Sequence, residues 1–368
     1  MTMTARERIV TALTGGQPDR VPSCSFLWDH AAIVADVKCS EVRNDARIAT
    51  KAYTACYEKY RPDALLGHHD RLWNYGDWGP GTGGLELELP DYDQPSLLGQ
   101  YWKAPEDAFT TSAPDPHSKK DSPLFWRHVE HLETLMDSIG DRAVVFGMHH
   151  GIFSMATLLR GATDFMLDLV ENPEAAHRMM DITTTVVLER LKIWIDHGLR
   201  FFMQGEPCPS CELISPKHFA EFALPYLQRL HDGAREYAKE KYGERFYSCL
   251  HICGNNTLIL DQMADAHADG ISLDQRVDLA VAKEVVKGKV GIMGNRVGIM
   301  GNIETTDALL LGTPEIVEQA TKEAIRKCAK GGGFIVAAGC AVPIPAPFRN
   351  VKAMYDATVK YGQYPLTS

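Results

Sequence analysis

YSCLHICGNN, residues 247–256, decides how the rest of the chain is read. Tyr247, Leu250 and Ile252 suit a pleated, buried surface, and Gly254 then breaks the run. Residues two apart on a strand point to the same side, so His251 and Cys253 share one face at the strand's very end. Helical patterns flank the segment, Pro216–Lys241 before it and Thr257–Ala266 after it. A strand bracketed by helices is the mark of a parallel βαβ unit.

Working outward, the same alternation recurs along the chain. Strands are expected at Val21–Trp28, Ala64–His68, Ala143–Met148, Arg200–Gln204, Phe246–Cys253, Gly270–Asp274, Val290–Met293 and Gly333–Ala338. Between them lie helical patterns at Asp45–Lys59, Pro123–Ile139, Ser154–Leu169, Pro173–His197, Leu279–Val286, Pro314–Lys330 and Val351–Lys360. Several begin on a good N-cap followed by proline, as in SPKHFAEF and TPEIVEQA. Eight such strands in 368 residues imply an α/β fold, a (β/α)8 TIM barrel occupying residues 1–368 as one domain. No glycine-rich dinucleotide fingerprint follows the first strand, which weighs against an open doubly wound sheet.

Two features depart from a plain barrel. Trp78–Gln100 holds an alternating LELEL between turn signals and is expected to form an inserted hairpin near the barrel mouth. VGIMGN occurs twice, at 290–295 and 297–302, although one copy suffices for the seventh strand; the second is expected in the following loop.

The composition narrows the class. Hydrophobic residues make up 45% of the chain, and no apolar run approaches the ~18 residues a membrane span needs. A formal charge of −10 without a basic cluster argues against a nucleic-acid partner. No membrane partner and no secretory leader are expected, and the reading is of a soluble cytoplasmic protein. Nine cysteines, an odd number, argue against a disulfide framework and leave thiolates available for a metal. Cys24, Cys56 and Cys328 sit in apolar or helical contexts and read as small core residues.

Chemistry in such barrels gathers where strands end, and here that rim is polar. It carries Trp28, Asp29 and His30, then His68, His69 and Asp70, then His149 and His150. Glu206 follows the fourth strand, Asp274 and Gln275 the sixth, Asn295 or Asn302 the seventh, and Cys340 the eighth. Each has a plain alternative: a rim histidine is often only hydrogen-bonded, and Asp29 or Asp70 could cap a helix. His149 and His150 are adjacent, so at most one faces the barrel.

His251 and Cys253 suit zinc, which takes mixed nitrogen and sulfur ligands in tetrahedral geometry. Cys340, at the glycine–cysteine break in FIVAAGCAVPIPAPFRN, supplies a third ligand from across the mouth. Three protein ligands with an open position characterise catalytic rather than structural zinc. Cys208 and Cys211, in EPCPSC, are the competing pair, as half of a structural site or a redox couple.

At this point the chain resembles a known family. RERIVTALTGGQPDRVP at Arg6–Pro22 is similar to the opening of the uroporphyrinogen decarboxylase superfamily. LHICGNN, ISPKHFAEFALPYLQRL, MGNIETTDALLLGTPEIVEQA and AAGCAVPIPAPFRNVKAM resemble its zinc-dependent corrinoid methyltransferase branch. The H-x-C…C set is matched at His251, Cys253 and Cys340. The resemblance implies a TIM barrel and methyl transfer between a small methylated or methyl-accepting substrate and the cobalt of a corrinoid (cobalamin). The corrinoid would arrive on a partner protein, and Zn2+ would act as a Lewis acid. True decarboxylases grip their substrate with arginines near the N-terminus, whereas CSFLWDHAAIV after the first strand has none.

On these grounds zinc is expected on His251, Cys253 and Cys340. Glu206 and Asp274 are assigned to catalysis: Glu206 is expected either to fill the fourth position at rest or to orient a ligand, and Asp274 either to accept the free N–H of the imidazole or to bind substrate. Trp28, Trp73, Tyr75, His149, His150 and Asn302 are assigned to substrate, with Trp78 near them. The aromatic cluster favours a methoxylated aromatic donor (O-demethylation). A thiol acceptor such as coenzyme M is the alternative. A metal-free decarboxylase and a non-enzymatic docking partner are the remaining readings.

Overall fold

The computed structural model of the chain describes residues 2–67, 75–78, 85–287, 289 and 297–366. Ten strands lie among them: β1 (Cys24–Ser25), β2 (Ala64–Leu66), β3 (Leu85–Glu88), β4 (Ser96–Gly99), β5 (Val144–His150), β6 (Phe201–Gly205), β7 (Tyr247–Ile252), β8 (Gly270–Leu273), β9 (Gly298–Ile303) and β10 (Phe334–Ala338). Eight form one parallel sheet in the order β1-β2-β5-β6-β7-β8-β9-β10. The sheet curls back on itself: Ser23, just before β1, bridges in parallel to Val336 on β10. This is the α/β, TIM-barrel-like architecture that the alternating pattern implies.

Side-chain alternation splits the core into two layers. Phe26, Ala64, Leu66, Val144, Phe146, Met148, Phe201, Met203, Cys249, Met300 and Ile335 form a cluster inside the curl. Their neighbours one residue on, such as Leu65, Val145, Phe202, Leu250 and Ile271, pack outward against the helices. Burying each such side chain stabilises the fold by roughly 1.5–3 kcal/mol. Cys24, Cys56 and Cys328 are fully buried within these layers, as expected.

The helix Ala5–Leu13 closes the base of the interior with Ile9, Ala12 and Leu13. A capping box starts it: the Thr4 hydroxyl accepts from the Glu7 N–H, and the Glu7 carboxylate accepts from the Thr4 N–H. Beside it, Arg8 donates to Asp19 (2.6 and 2.9 Å) and to Asp63 (3.2 Å). Arg20 donates to both oxygens of Asp63 (2.8 Å each).

Three expectations need correction. The second VGIMGN copy, expected in a loop, forms strand Gly298–Ile303 between β8 and β10, and the expected strand Val290–Met293 lies outside the described residues. Identical hexapeptides have identical periodicity, so pattern alone could not choose between them. The expected single helix Ser154–Leu169 is two helices, Ile152–Arg160 and Ala162–Glu171, broken at Gly161 with φ +89°. The first strand is far shorter than Val21–Trp28, only Cys24–Ser25, and Trp28 beyond it adopts φ 36°, outside the extended region.

Within Trp78–Gln100, β3 and β4 pair antiparallel, Leu85 opposite Gly99 and Leu87 opposite Leu97. Leu85 and Leu87 are half-buried while Glu86 and Glu88 face solvent. The connecting turn docks on the helix Cys39–Asn44, where Arg43 donates to the Pro90 carbonyl (2.6 Å) and Ser40 to Asp91 (2.6 Å).

Candidate metal centre at the strand ends

Strand β7 delivers its two donors as the spacing requires. His251 and Cys253 both follow Cys249 in the inward-facing series, and the His251 Nε2 lies 3.2 Å from the Cys253 sulfur. Cys340 enters from the loop after β10, its sulfur 3.6 Å from that of Cys253. All three donor atoms lie within 4.8 Å of one another. No fourth His, Cys, Asp or Glu joins this group among the described residues.

The protonation pattern fits a cation site. The hydrogen bond from the Cys253 thiol pulls Cys340 down to about 4 against the effect of burial, with His251 assisting. The Cys253 thiol, as the donor, is pushed far up by the same bond and by burial. Two sulfurs thus share one proton in a half-buried pocket, and a divalent cation would replace it.

The surroundings fix each donor. The Ser272 hydroxyl lies 3.1 Å from His251 Nδ1, orienting the ring so that Nε2 meets the thiols. The Phe26 ring packs on the imidazole at 4.9 Å between centroids. Asp274 accepts from the Gly254 N–H (2.9 Å) and the Arg276 N–H (2.9 Å). It therefore clamps the turn that carries Cys253, where Gly254 takes φ +86°. The expected Asp274–imidazole bond is not formed; Ser272, opposite His251 on β8, is closer to the ring.

Glu206 is fully buried and turned away from the donor group. Its carboxylate accepts from the Phe153 N–H (3.2 Å), the Ser154 N–H (3.0 Å), the Ser154 hydroxyl (2.9 Å) and the Gln204 amide (2.9 Å). It thus serves the N-terminus of the helix Ile152–Arg160. Burial still pushes its carboxyl up to about 7, against these hydrogen bonds. Gly151 makes this approach possible, since a Cβ there would lie 1.9 Å from the Glu206 carboxyl carbon.

The paired histidines split as their adjacency requires. His149 points out of the curl, its Nε2 3.0 Å from Arg190, on the helix Pro173–Asp196. Its Nδ1 meets the His150 carbonyl. His150 points inward, and the Tyr75 hydroxyl lies 2.7 Å from its Nδ1. Trp28 packs edge-on against Phe26 at 5.7 Å, beside the His251 ring. Asn302 spends its amide N–H groups on the carbonyls of Asp274 (2.9 Å) and Val277 (2.7 Å) and braces the β8–β9 junction.

The expected aromatic cluster is only partly within the described residues. Trp78 is 1% exposed and packs between Tyr101 and Trp102, and Tyr75 is fully buried. Trp73, His68, His69, Asp70 and Asn295 lie outside the described residues. The Cys208–Cys211 loop packs beside Gly254, its backbone held by Ser154 (3.1 Å) and Asn256 (3.2 Å), but neither thiol joins the donor group. Sequence reasoning missed Ser272 and Arg190. Both sit on ordinary strand and helix patterns, and only strand register and helix packing bring them to the site.

A TIM-like curl whose mouth gathers one imidazole and two thiols defines an α/β barrel-like protein with a candidate metal site. The chain belongs to the uroporphyrinogen decarboxylase (URO-D) family, whose profile matches residues 4–361. It is 24% identical to the methylcobamide:CoM methyltransferase MtaA of Methanosarcina barkeri, over 97% of this chain and 98% of that one. The methylated-thiol–coenzyme M methyltransferase of Methanosarcina mazei is 25% identical, over 96% of this chain and 89% of its own length. Among solved structures, a methyltransferase from Methanosarcina mazei superposes with a TM-score of 0.79 at 22% identity, over 98% and 99% of the two chains. That last likeness carries the fold alone. Both sequence relatives are named for coenzyme M, and neither name mentions a methoxylated aromatic.

Proposed function

We propose that this chain is a zinc-dependent methyltransferase moving a methyl group between the cobalt of a corrinoid, carried by a separate protein, and a small thiol. The observation that carries this is the convergence of His251, Cys253 and Cys340 at the C-terminal end of the sheet. Full-length similarity to thiol methyltransferases supports the choice of acceptor.

The donor set fits the ion. Zinc bonds of about 2.0–2.3 Å in tetrahedral geometry need donor atoms about 3.5–3.8 Å apart. The separations here are 3.2 Å and 3.6 Å. When bound, zinc would supply Lewis acidity that keeps a thiol substrate in its nucleophilic thiolate form.

The chain's own residues do the rest. His251 is held by Ser272, and the Cys253 turn is held by Asp274, so the donors are set before substrate arrives. Glu206 stays committed to its helix end, which leaves the fourth position to substrate. In transfer from corrinoid to thiol, the cobalt–carbon bond breaks and a carbon–sulfur bond forms. The cobalt keeps the bonding electron pair, and the thiol proton leaves to solvent. In-line displacement needs the reacting atoms about 3–3.5 Å apart and collinear, so the mouth must admit the corrinoid. We place the β3–β4 ribbon at the edge of that opening, not across it.

The test is direct. Zinc-loaded protein is mixed with methylcobalamin and a panel of thiols, and the corrinoid spectrum is followed. Loss of the methylcobalamin band that depends on both protein and thiol is expected. No change with any thiol, or faster demethylation of methoxylated aromatics by Co(I) corrinoid, would overturn the thiol reading.

A further inference from the structure

The base of the curl, opposite the metal donors, holds a cavity that the proposed chemistry leaves unused. Its volume is about 410 Å³, within the range of small-molecule sites. Three stretches far apart in sequence wall it. Gln17 follows the helix Ala5–Leu13, Lys322 to Gly331 end the helix Pro314–Cys328 and turn toward β10, and Tyr361 to Leu366 follow the helix Phe348–Tyr361.

The walls are tied to one another by hydrogen bonds. The Gly333 N–H donates to the Gly16 carbonyl (2.8 Å). Gly332, at φ +83°, permits that approach, since a Cβ there would lie 2.2 Å from the Gly16 oxygen. The Tyr364 N–H donates to the Asp19 carbonyl (3.2 Å), and its hydroxyl to the Ala329 carbonyl (2.7 Å). A cavity between segments held in this way is formed before any ligand arrives.

Its floor and rim differ in chemistry. Ile325 at the floor is 3% exposed, and Tyr361, Tyr364 and Leu366 pack against the core. The rim is cationic: Lys322, Arg326 and Lys330 recur every four residues, along one side of the helix end and beyond it. No Asp or Glu lines the cavity among the described residues, in a chain of net charge −10. Cations near a helix C-terminus also answer its dipole, and Arg326 is further engaged by Glu323 (2.7 and 2.6 Å). That effect fades beyond the last turn, where Lys322 stands with its ammonium 5.3 Å from the centre of the Tyr361 ring. Lys330 is exposed at the rim. Two phenol rings over an apolar floor, with ammonium groups above, suit a flat apolar body that carries one anionic group.

We infer that this cavity binds a small aromatic carboxylate, its ring against Tyr361 and Tyr364 and its anion on Lys322 and Lys330. It is a second ligand site, at the opposite end of the sheet from the metal donors, and it does not rest on the methyltransferase reading. A ligand there touches both the helix end and the segment after Tyr361, so it also stabilises the folded chain.

The experiment separates charge from ring. Calorimetric titrations of zinc-loaded protein compare 2-naphthoate with 2-naphthalenemethanol, which keeps the ring and lacks the charge. The wild type is expected to bind naphthoate at least about tenfold more tightly, the worth of one hydrogen bond to a charged group. Lys322→Gln and Lys330→Gln together should bring the two ligands level, with zinc content and ligand-free unfolding temperature unchanged. Cys340→Ala, expected to lose zinc, should keep the wild-type affinity for naphthoate, which separates this site from a carboxylate bound to the metal. Equal affinity for acid and alcohol in the wild type overturns the inference. So does a preference that survives the double variant, or naphthoate binding that disappears in Cys340→Ala. Lysine-dependent binding without methyl transfer from methylcobalamin overturns only the methyltransferase reading and leaves this site standing.

Discussion

The two ends of the curled sheet both carry buried polar clusters, and they are finished differently. At the base, Arg8 and Arg20 meet Asp19 and Asp63, and Asp63 also accepts from the Ser23 N–H (3.0 Å). Each carboxylate there faces a guanidinium, and the Arg8 guanidinium holds the Asp19 carboxyl down to about 2. At the mouth, two sulfurs share one proton and a fully buried carboxyl sits near 7. Charges at the base are neutralised by the chain itself, which serves stability. At the mouth the chain instead brings three potential metal donors, His251, Cys253 and Cys340, to one point, and groups with perturbed protonation cluster where chemistry is done.

The sharpest way to break this contrast is Cys340→Ala. It removes one of three donors, so complete loss of bound zinc and of methyl transfer is expected, with the fold retained. Metal analysis of purified protein checks it. Cys208→Ala, outside the donor group, should keep full zinc. Full occupancy in Cys340→Ala would sink the metal centre.

The mirror experiment is at the base. Asp63→Ala leaves Arg20 without its carboxylate and Arg8 with Asp19 alone, at a site only 3% exposed. Removing one partner from a buried ionic network costs about 3–5 kcal/mol. Thermal or urea unfolding should register this, while zinc stoichiometry at low temperature stays that of the wild type. A variant of normal stability would show that the base network contributes nothing net.

Asp274→Asn sharpens the mouth side by a smaller step. The amide can still accept one N–H, so the Gly254 turn loosens but survives. Zinc affinity should fall by roughly tenfold, the low end for groups that support a ligand from behind. Competition with a chelator reads this out, and wild-type affinity would reduce Asp274 to a brace for Arg276.

The contrast was partly legible in the sequence. His251 and Cys253 declared themselves by i, i+2 spacing at a strand end, and Cys340 by a glycine break after the last strand. Strand parity likewise predicted that only one of His149 and His150 could face inward. What pattern could not supply was set by register between distant segments. Ser272 reaches His251 only because β7 and β8 pair in one register, and Glu206 finds its helix end only because residue 151 is glycine. Trp78 was misread because an indole beside glycine-rich turns looks the same in sequence whether it lines a pocket or fills a core. The repeated VGIMGN defeated periodicity altogether, since both copies encode the same strand.

The smallest expected effect concerns pH, and it belongs to the base. Asp19 has a folded-state pKa of about 2, lowered from 3.8 chiefly by its hydrogen bonds from Arg8. A carboxyl lowered in the folded state binds its proton less readily there than in the unfolded chain. Its contribution is therefore fully present above the unfolded value near 4 and disappears as the pH falls toward 2. Asp19 is one-quarter exposed, so solvent screening reduces the contribution to about 1 kcal/mol. Asp19→Asn should accordingly lower stability slightly at pH 7, and the deficit relative to wild type should vanish between pH 4 and pH 2. Unfolding midpoints measured across that interval for the zinc-free proteins isolate the base from the mouth, because no metal is then present to be released by acid. A deficit that persisted unchanged at pH 2 would mean that Asp19 acts through packing and not through its charge, and the base would no longer be the electrostatic counterpart of the mouth.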